Sequence, residues 1–143
     1  MGLLTATRFM ISLGSNIFLY SFDQRDAAKQ KIAAQWVLAS TQGGFILASQ
    51  VLGEVFRKLQ VDTRFGAQAI ATAQLMVQTH RVKPATEATF KAAMQLSART
   101  QRQFWDCLII ATCAEHGVTT LYTEDTGGLP HTVLGVQLIN PFV

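Results

Sequence analysis

Acidic side chains are scarce in this chain. Nine Asp and Glu stand against twelve Lys and Arg in 143 residues, a formal net charge of +3. Charged residues make up only 15% of the sequence and apolar ones 49%, a balance that excludes intrinsic disorder. Long apolar runs are missing too. The apolar residues are interrupted too often to supply a spanning helix of about 20 residues. No secretory pattern is visible, and the opening MGLLTA has Ala6 where N-myristoylation needs Ser or Thr. These absences predict a cytoplasmic chain with no membrane anchor.

Cysteine is nearly absent. Cys107 and Cys113 lie six apart in an apolar helical stretch, about 9 Å along a helix axis and beyond disulfide reach. Two thiols alone make no zinc site, so both read as small buried hydrophobes. His80, His116 and His131 share no ligand spacing and read as surface or helix-end residues. No G-x-G-x-x-G follows a strand, which excludes a dinucleotide-binding domain. No Lys follows Lys91 and the first strand ends in glycine, which excludes a phospho-receiver.

What is present alternates strand with helix. Residues 9–14 read as a strand and 16–22 as a helix. A second helix over 26–41 carries Ala28, Ile32, Ala33, Trp36 and Val37 at helical spacing and ends at Gly43-Gly44. Residues 45–47 read as a short buried strand, and Ser49 as the N-cap of a helix over 50–60. Helices over 64–80 and 86–100 flank a very short strand at 82–84. A helix over 103–116 places Trp105, Leu108, Ile109, Thr112 and Cys113 on one face. A strand over 120–123, a loop from Thr126 to Pro130 and a strand over 136–139 complete the chain. This alternation implies a parallel sheet with helices on both faces. There is no linker, repeat or low-complexity run, so residues 10–143 form one domain. Residues 1–9 read as an N-terminal extension, with Met10 a candidate start.

With so few acids, those beside apolar runs require a reason. Glu54 lies in the helix SQVLGEVFRKL, Asp106 opens the helix FWDCLIIA, and Asp125 follows the strand TTLY. A carboxylate in apolar surroundings is costly unless paired, hydrogen-bonded or bound to a metal. In open parallel sheets, ligands bind beyond the carboxyl ends of the strands, where Gly14 and Asp125 both fall. Plainer readings exist for each residue. Glu54 suits an exposed helix face, Asp106 the helix dipole, and Asp125 a turn before Gly127-Gly128. Arg57, Lys58, Arg81, Lys83, Arg99 and Arg102 fall near helix ends, which suits either a solvated face or a polyanionic partner.

The blocks SLGSNIFLYSFD, SQVLGEV, FWDCLIIA, LYTED and VQLINPF resemble, in order and spacing, the PIN domain, and most of all the VapC-type toxin nucleases. The resemblance spans Met10 to Phe142. It implies a three-layer α/β/α fold with a central parallel sheet of four to five strands. It also implies a metal-dependent endoribonuclease using Mg²⁺ or Mn²⁺. The partners it implies are an RNA substrate, a small antitoxin and a second copy in a homodimer or higher oligomer. By resemblance, Asp106 and Asp125 are direct or water-mediated metal ligands, and Glu54 is a ligand or orients the attacking water. Asn16 and Thr123 orient the carboxylates and the turn. Glu124 is the alternative to Asp125. The family pattern has Asp where this chain has Gly14, in a turn whose Ser15 and Asn16 are kept. Gly14 removes one oxygen ligand and one negative charge, so catalysis is expected to be impaired. The competing expectation is a catalytically inert PIN-fold module that binds RNA or a protein.

Overall fold

The computed structural model describes residues 10–126 and 131–143. The N-terminal extension and most of the loop expected at 126–130 lie outside these residues. Strand β1 (Ile11–Leu13) enters helix α1 (Ser15–Phe22) through Gly14, and α2 (Ala27–Ser40) follows. Then come β2 (Leu47–Ala48), α3 (Ser49–Val61), α4 (Ala69–Thr79) and β3 (Val82–Lys83). Helices α5 (Glu87–Thr100) and α6 (Phe104–Glu115) precede β4 (Thr120–Tyr122), β5 (Thr132–Val133) and β6 (Val136–Ile139).

The main sheet has the order β1-β4-β6-β5. Its first three strands are parallel, and β5 is antiparallel to β6. The parallel pair β2-β3 joins β1 through a bridge between Ile11 and Phe45. There Ile11 N–H donates to Gly44 O at 2.8 Å, and Ile46 N–H donates to Ile11 O at 3.0 Å. Helix α1 packs on α2 and α3, and α5 packs on α6, giving helical layers around the sheet. Among the described residues, no helix is long and apolar enough to cross a membrane.

Helix α6 is the centre of the core. Every residue from Cys107 to Cys113 is buried. The stretch CLIIATC is apolar all round, and such a helix must be enclosed on every side. Both cysteines are free and buried, and burial pushes the Cys113 thiol up to about 12. Trp105 departs from the expected buried face and is 50% exposed.

Four local expectations need correction. Ser49 is the first residue of α3, not its cap, because the strand β2 runs to Ala48, which takes the N-cap position. The helix expected from residue 64 begins at Ala69. Phe65 and Gly66 N–H instead donate to Asp62 O, and the segment turns through a 3₁₀ element at Gly66–Gln68. A Cβ at position 66 would lie 3.1 Å from Gln60 O, so the backbone there would have to yield by a few tenths of an ångström to admit a side chain. The third correction is β5, a strand absent from the sequence reading. It pairs with β6 across Leu134 and Gly135, both with positive φ (53° and 79°), as a two-residue hairpin requires. The last concerns His80. It ends α4, as expected, yet its ring is half-buried, 5.6 Å from Phe18, with Nε2 2.7 Å from Ser40 Oγ.

Burial pushes the His80 pKa below its ordinary 6.5. The native state therefore disfavours the imidazolium. The stability this confers is complete above 6.5 and is lost as pH falls through the lowered folded value. Replacing His80 by Gln should flatten the dependence of urea-unfolding stability on pH below 6.5. An unchanged slope would show that the ring charges in place without cost.

Candidate active site

The register of β1 against β4 builds the floor of the site. Leu13 pairs with Tyr122, and Gly14 N–H extends the ladder by donating to Tyr122 O at 2.8 Å. Gly14 is therefore set beside Thr123. It is also the N-cap of α1, at φ −75° and ψ 164°. Any residue adopts those angles, so backbone conformation does not require glycine. Space is the tighter constraint. A Cβ at position 14 would lie 3.2 Å from both Thr123 Cβ and Oγ1, so Thr123 must yield by a few tenths of an ångström to admit a side chain.

The turn is cross-linked to the end of β4. Asn16 Nδ2 donates to Thr123 Oγ1 at 3.3 Å, and Asn16 Oδ1 accepts from Glu124 N–H at 3.2 Å. Thr123 Oγ1 also accepts from Asp125 N–H at 3.2 Å. These bonds fix the backbone through 123–125. The adjacent acids Glu124 and Asp125 then point to different places. Glu124 is clamped by Lys29 Nζ, and accepts from Tyr20 Oη at 2.7 Å. Its hydrogen bond from Lys29 is the main cause that lowers its pKa. Glu124 is thus engaged with α1 and α2, while Asp125 faces a cleft.

That cleft has a volume of about 700 Å³, and four segments carry its polar and charged lining. The start of α1 contributes Gly14, Ser15 and Asn16. Helix α3 contributes Gln50, Glu54, Arg57 and Lys58. The start of α6 contributes Arg102, Trp105 and Asp106, and the end of β4 contributes Thr123 and Asp125. Helical spacing places Arg57 and Lys58 three and four residues beyond Glu54, on the same face. Gln50 Nε2 donates to Trp105 O at 2.8 Å, tying α3 to α6 across the cleft. The three acids named from the sequence thus border one space, with Gly14 beside them.

Electrostatics couples them. Burial raises the Asp106 pKa, the charges of Asp125 and Glu54 raise it further, and Arg102 opposes the shift. Arg102 reads from sequence only as a helix-end cation, yet the structure places it among the acids. Its Nη2 lies 3.1 Å from Asp125 Oδ1 and donates to Asp125 O at 2.7 Å, and its Nε is 3.8 Å from Asp106 Oδ2. A usable signal was present, because Arg102 and Asp106 have the i, i+4 spacing of ion pairs.

Oxygen donors of this kind suit hard divalent cations. Their placement does not complete a site for one. Among the described residues, no three His, Cys, Asp or Glu are grouped so as to hold a metal ion. A guanidinium lies between two of the acids, and position 14 offers no oxygen from a side chain.

The sequence pattern of the PIN domain matches residues 12–132. The chain belongs to the PIN domain family. PIN and VapC-type proteins are nucleases and are generally dependent on divalent metal. No curated protein matches the chain by sequence. Solved structures do match by shape. The FitAB complex bound to an IR36 DNA fragment aligns at 17% identity with a TM-score of 0.74, over 94% of this chain and 96% of that one. VapC20 of Mycobacterium tuberculosis, a toxin that cleaves the sarcin-ricin loop, aligns at 21% identity and 0.65, over 80% and 91%. VapBC2 of Rickettsia felis, bound to a DNA fragment from its promoter, aligns at 14% and 0.68, over 91% and 97%. At these identities the likeness is one of fold.

The raised Asp106 pKa gives a test on this chain alone. A carboxyl whose folded pKa exceeds the unfolded value lowers stability as pH rises through that interval, starting at 3.8. Replacing Asp106 by Asn should therefore raise the melting temperature at neutral pH, and the gain should shrink in acid as native Asp106 takes up its proton. A loss of stability at neutral pH would mean that pairing with Arg102 outweighs burial.

Proposed function

We propose that this chain is a ribonuclease of the VapC toxin class whose acid cleft is short of one ligand. The observation that carries the reading is the meeting of Glu54, Asp106 and Asp125, from three separate elements, around one cleft that Gly14 also borders. A divalent metal in such a cleft supplies a water of lowered pKa and neutralises charge developing on a phosphodiester. On this reading, Asp106 and Asp125 are the main donors toward Mg²⁺ or Mn²⁺, and Glu54 is a third donor or orients water. Asn16 and Thr123 hold the turn and the Asp125 backbone in place. Arg57 and Lys58, on the cleft wall, meet the phosphates of RNA.

The same class reading supplies the partners. A small antitoxin covers the cleft, and two copies of the chain associate in the cytoplasm. Support comes from the neighbours of similar shape, which include a toxin–antitoxin complex from Klebsiella pneumoniae. A second reading is an inert PIN-fold module that binds RNA or protein. It is favoured by the absence of a complete metal-holding group among the described residues.

The two readings separate at position 14. Replacing Gly14 by Asp should give Mg²⁺- or Mn²⁺-dependent cleavage of RNA well above that of the present chain. Asp106→Asn or Asp125→Asn in that background should abolish the gain. Cleavage that survives Asp106→Asn rules out the assignment.

Thermal unfolding supplies an independent readout, because a ligand that binds only the native state stabilises it by RT ln(1 + [L]/Kd). The crowded Thr123 contact and added carboxylate repulsion oppose the entropy of about 0.4–1 kcal/mol gained by replacing glycine. The glycine and Thr123 terms cancel in the difference between metal-free and metal-bound melting temperatures, whereas the carboxylate repulsion is what bound metal relieves. That difference should be clearly larger for Gly14→Asp. Equal differences would remove position 14 from any metal site.

A further inference from the structure

The cleft already holds its own cations. Among the charged residues that line it, Glu54, Asp106 and Asp125 are matched by Arg57, Lys58 and Arg102. Arg57 and Lys58 are exposed on α3. Arg102 differs, because its side chain is only 9% exposed. A guanidinium so enclosed is costly unless charged partners meet it. Those partners are acids of the cleft. Nη2 reaches both Oδ1 and the carbonyl of Asp125, while Nε faces Asp106 Oδ2.

The chain delivers Arg102 to this place by local means. Gln101 ends α5 in the left-handed region at φ 62°. The Arg102 backbone is then fastened at both ends, its N–H donating to Thr100 Oγ1 and its carbonyl accepting from Ser97 Oγ. Four residues later, on the first turn of α6, stands Asp106. The guanidinium is therefore aimed by a fixed backbone rather than swung in from solvent.

We infer that Arg102 is the resident cation of this cleft. It holds Asp125 and screens Asp106 where a divalent ion would otherwise draw the two acids together, so that metal binds only in competition with it. The inference rests on the reading of Asp106 and Asp125 as metal-directed acids. It explains why acids border one space without forming a metal-holding group. It also separates this residue from the cations on α3, which face solvent and leave the acids free. A mere structural strap would need the hydrogen bonds of Arg102 and not its charge.

The test is Mn²⁺ binding by isothermal titration in the Gly14→Asp background, with Arg102 kept or replaced by Met, Gln or Lys. Met keeps much of the aliphatic stem, Gln keeps an N–H donor for the Asp125 carbonyl without charge, and Lys keeps the charge. Arg102→Met and Arg102→Gln should each bind Mn²⁺ roughly fivefold tighter or more, the lower end of a measurable coupling between two sites. Arg102→Lys should stay close to the parent. The Mn²⁺-induced rise in melting temperature should follow the same order. If Arg102→Met fails to fold, Arg102→Gln decides alone. Equal or weaker affinity in the neutral variants overturns the inference while leaving the acid site standing. Failure of all four proteins to bind Mn²⁺ removes the metal reading, and the role of Arg102 with it.

Discussion

The parallel pairing of β1 with β4 sets every distance in the cleft. The two strands are more than a hundred residues apart in sequence, yet their register places Gly14 against Thr123 at the shared carboxyl edge. A slip of one residue would turn each side chain to the opposite face of the sheet. It would turn the buried Leu13 away from the core and break the bonds from Asn16 to Thr123 and Glu124 together. The register is held because Leu13 and Leu121 are both almost wholly buried. The polar turn can be accurate because the apolar ladder beneath it cannot move.

Helix α6 supplies the second constraint. Burial of Leu108, Ile109 and Ile110 favours the fold by about 1.5–3 kcal/mol for each side chain as an upper figure. That outweighs the cost of a partly desolvated carboxylate at Asp106, the residue immediately before the enclosed stretch. The acid is carried into the cleft by the helix that the core needs. Selection between Glu124 and Asp125 is made elsewhere, by Tyr20 and Lys29. Lys29 Nζ also lies 4.7 Å from the centre of the Tyr20 ring. A partly exposed ion pair contributes little to stability. Its value here is directional, since occupying Glu124 leaves Asp125 to face Arg102.

Much of this was legible in the sequence. The strand before Gly14, the enclosed helix over 103–116, the β4 strand and the closing strand follow from apolar runs bounded by glycine, proline or polar turns. The acids stood out because carboxylates were few and their neighbours apolar. What escaped reading was governed by contacts between distant segments or by unusual backbone. The hairpin of β5 turns on Leu134-Gly135 rather than Asn-Gly, so its signal was weak. The late start of α4 depends on Asp62 drawing two N–H groups into a turn. Trp105 is half-exposed, its backbone met by Gln50 of α3 and its ring by Phe104 alone among aromatic contacts of the described residues. Arg102 looked like any helix-end cation, because nothing local shows that the chain beyond β4 returns to meet it.

The margins of the sheet carry a consequence for how other chains can engage this domain. At one margin β3 spans two residues, carries Lys83 and is followed at once by Pro84; at the other β5 also spans two residues and turns back through a tight hairpin. A long exposed edge is a template on which a foreign strand can lengthen the sheet, and short, charged or interrupted edges deny it. These described margins offer too few main-chain groups to fix the register of an added strand. Discrimination between partners then rests more on side-chain chemistry, in the cleft and on the outward faces of the helices, than on pairing with these described margins.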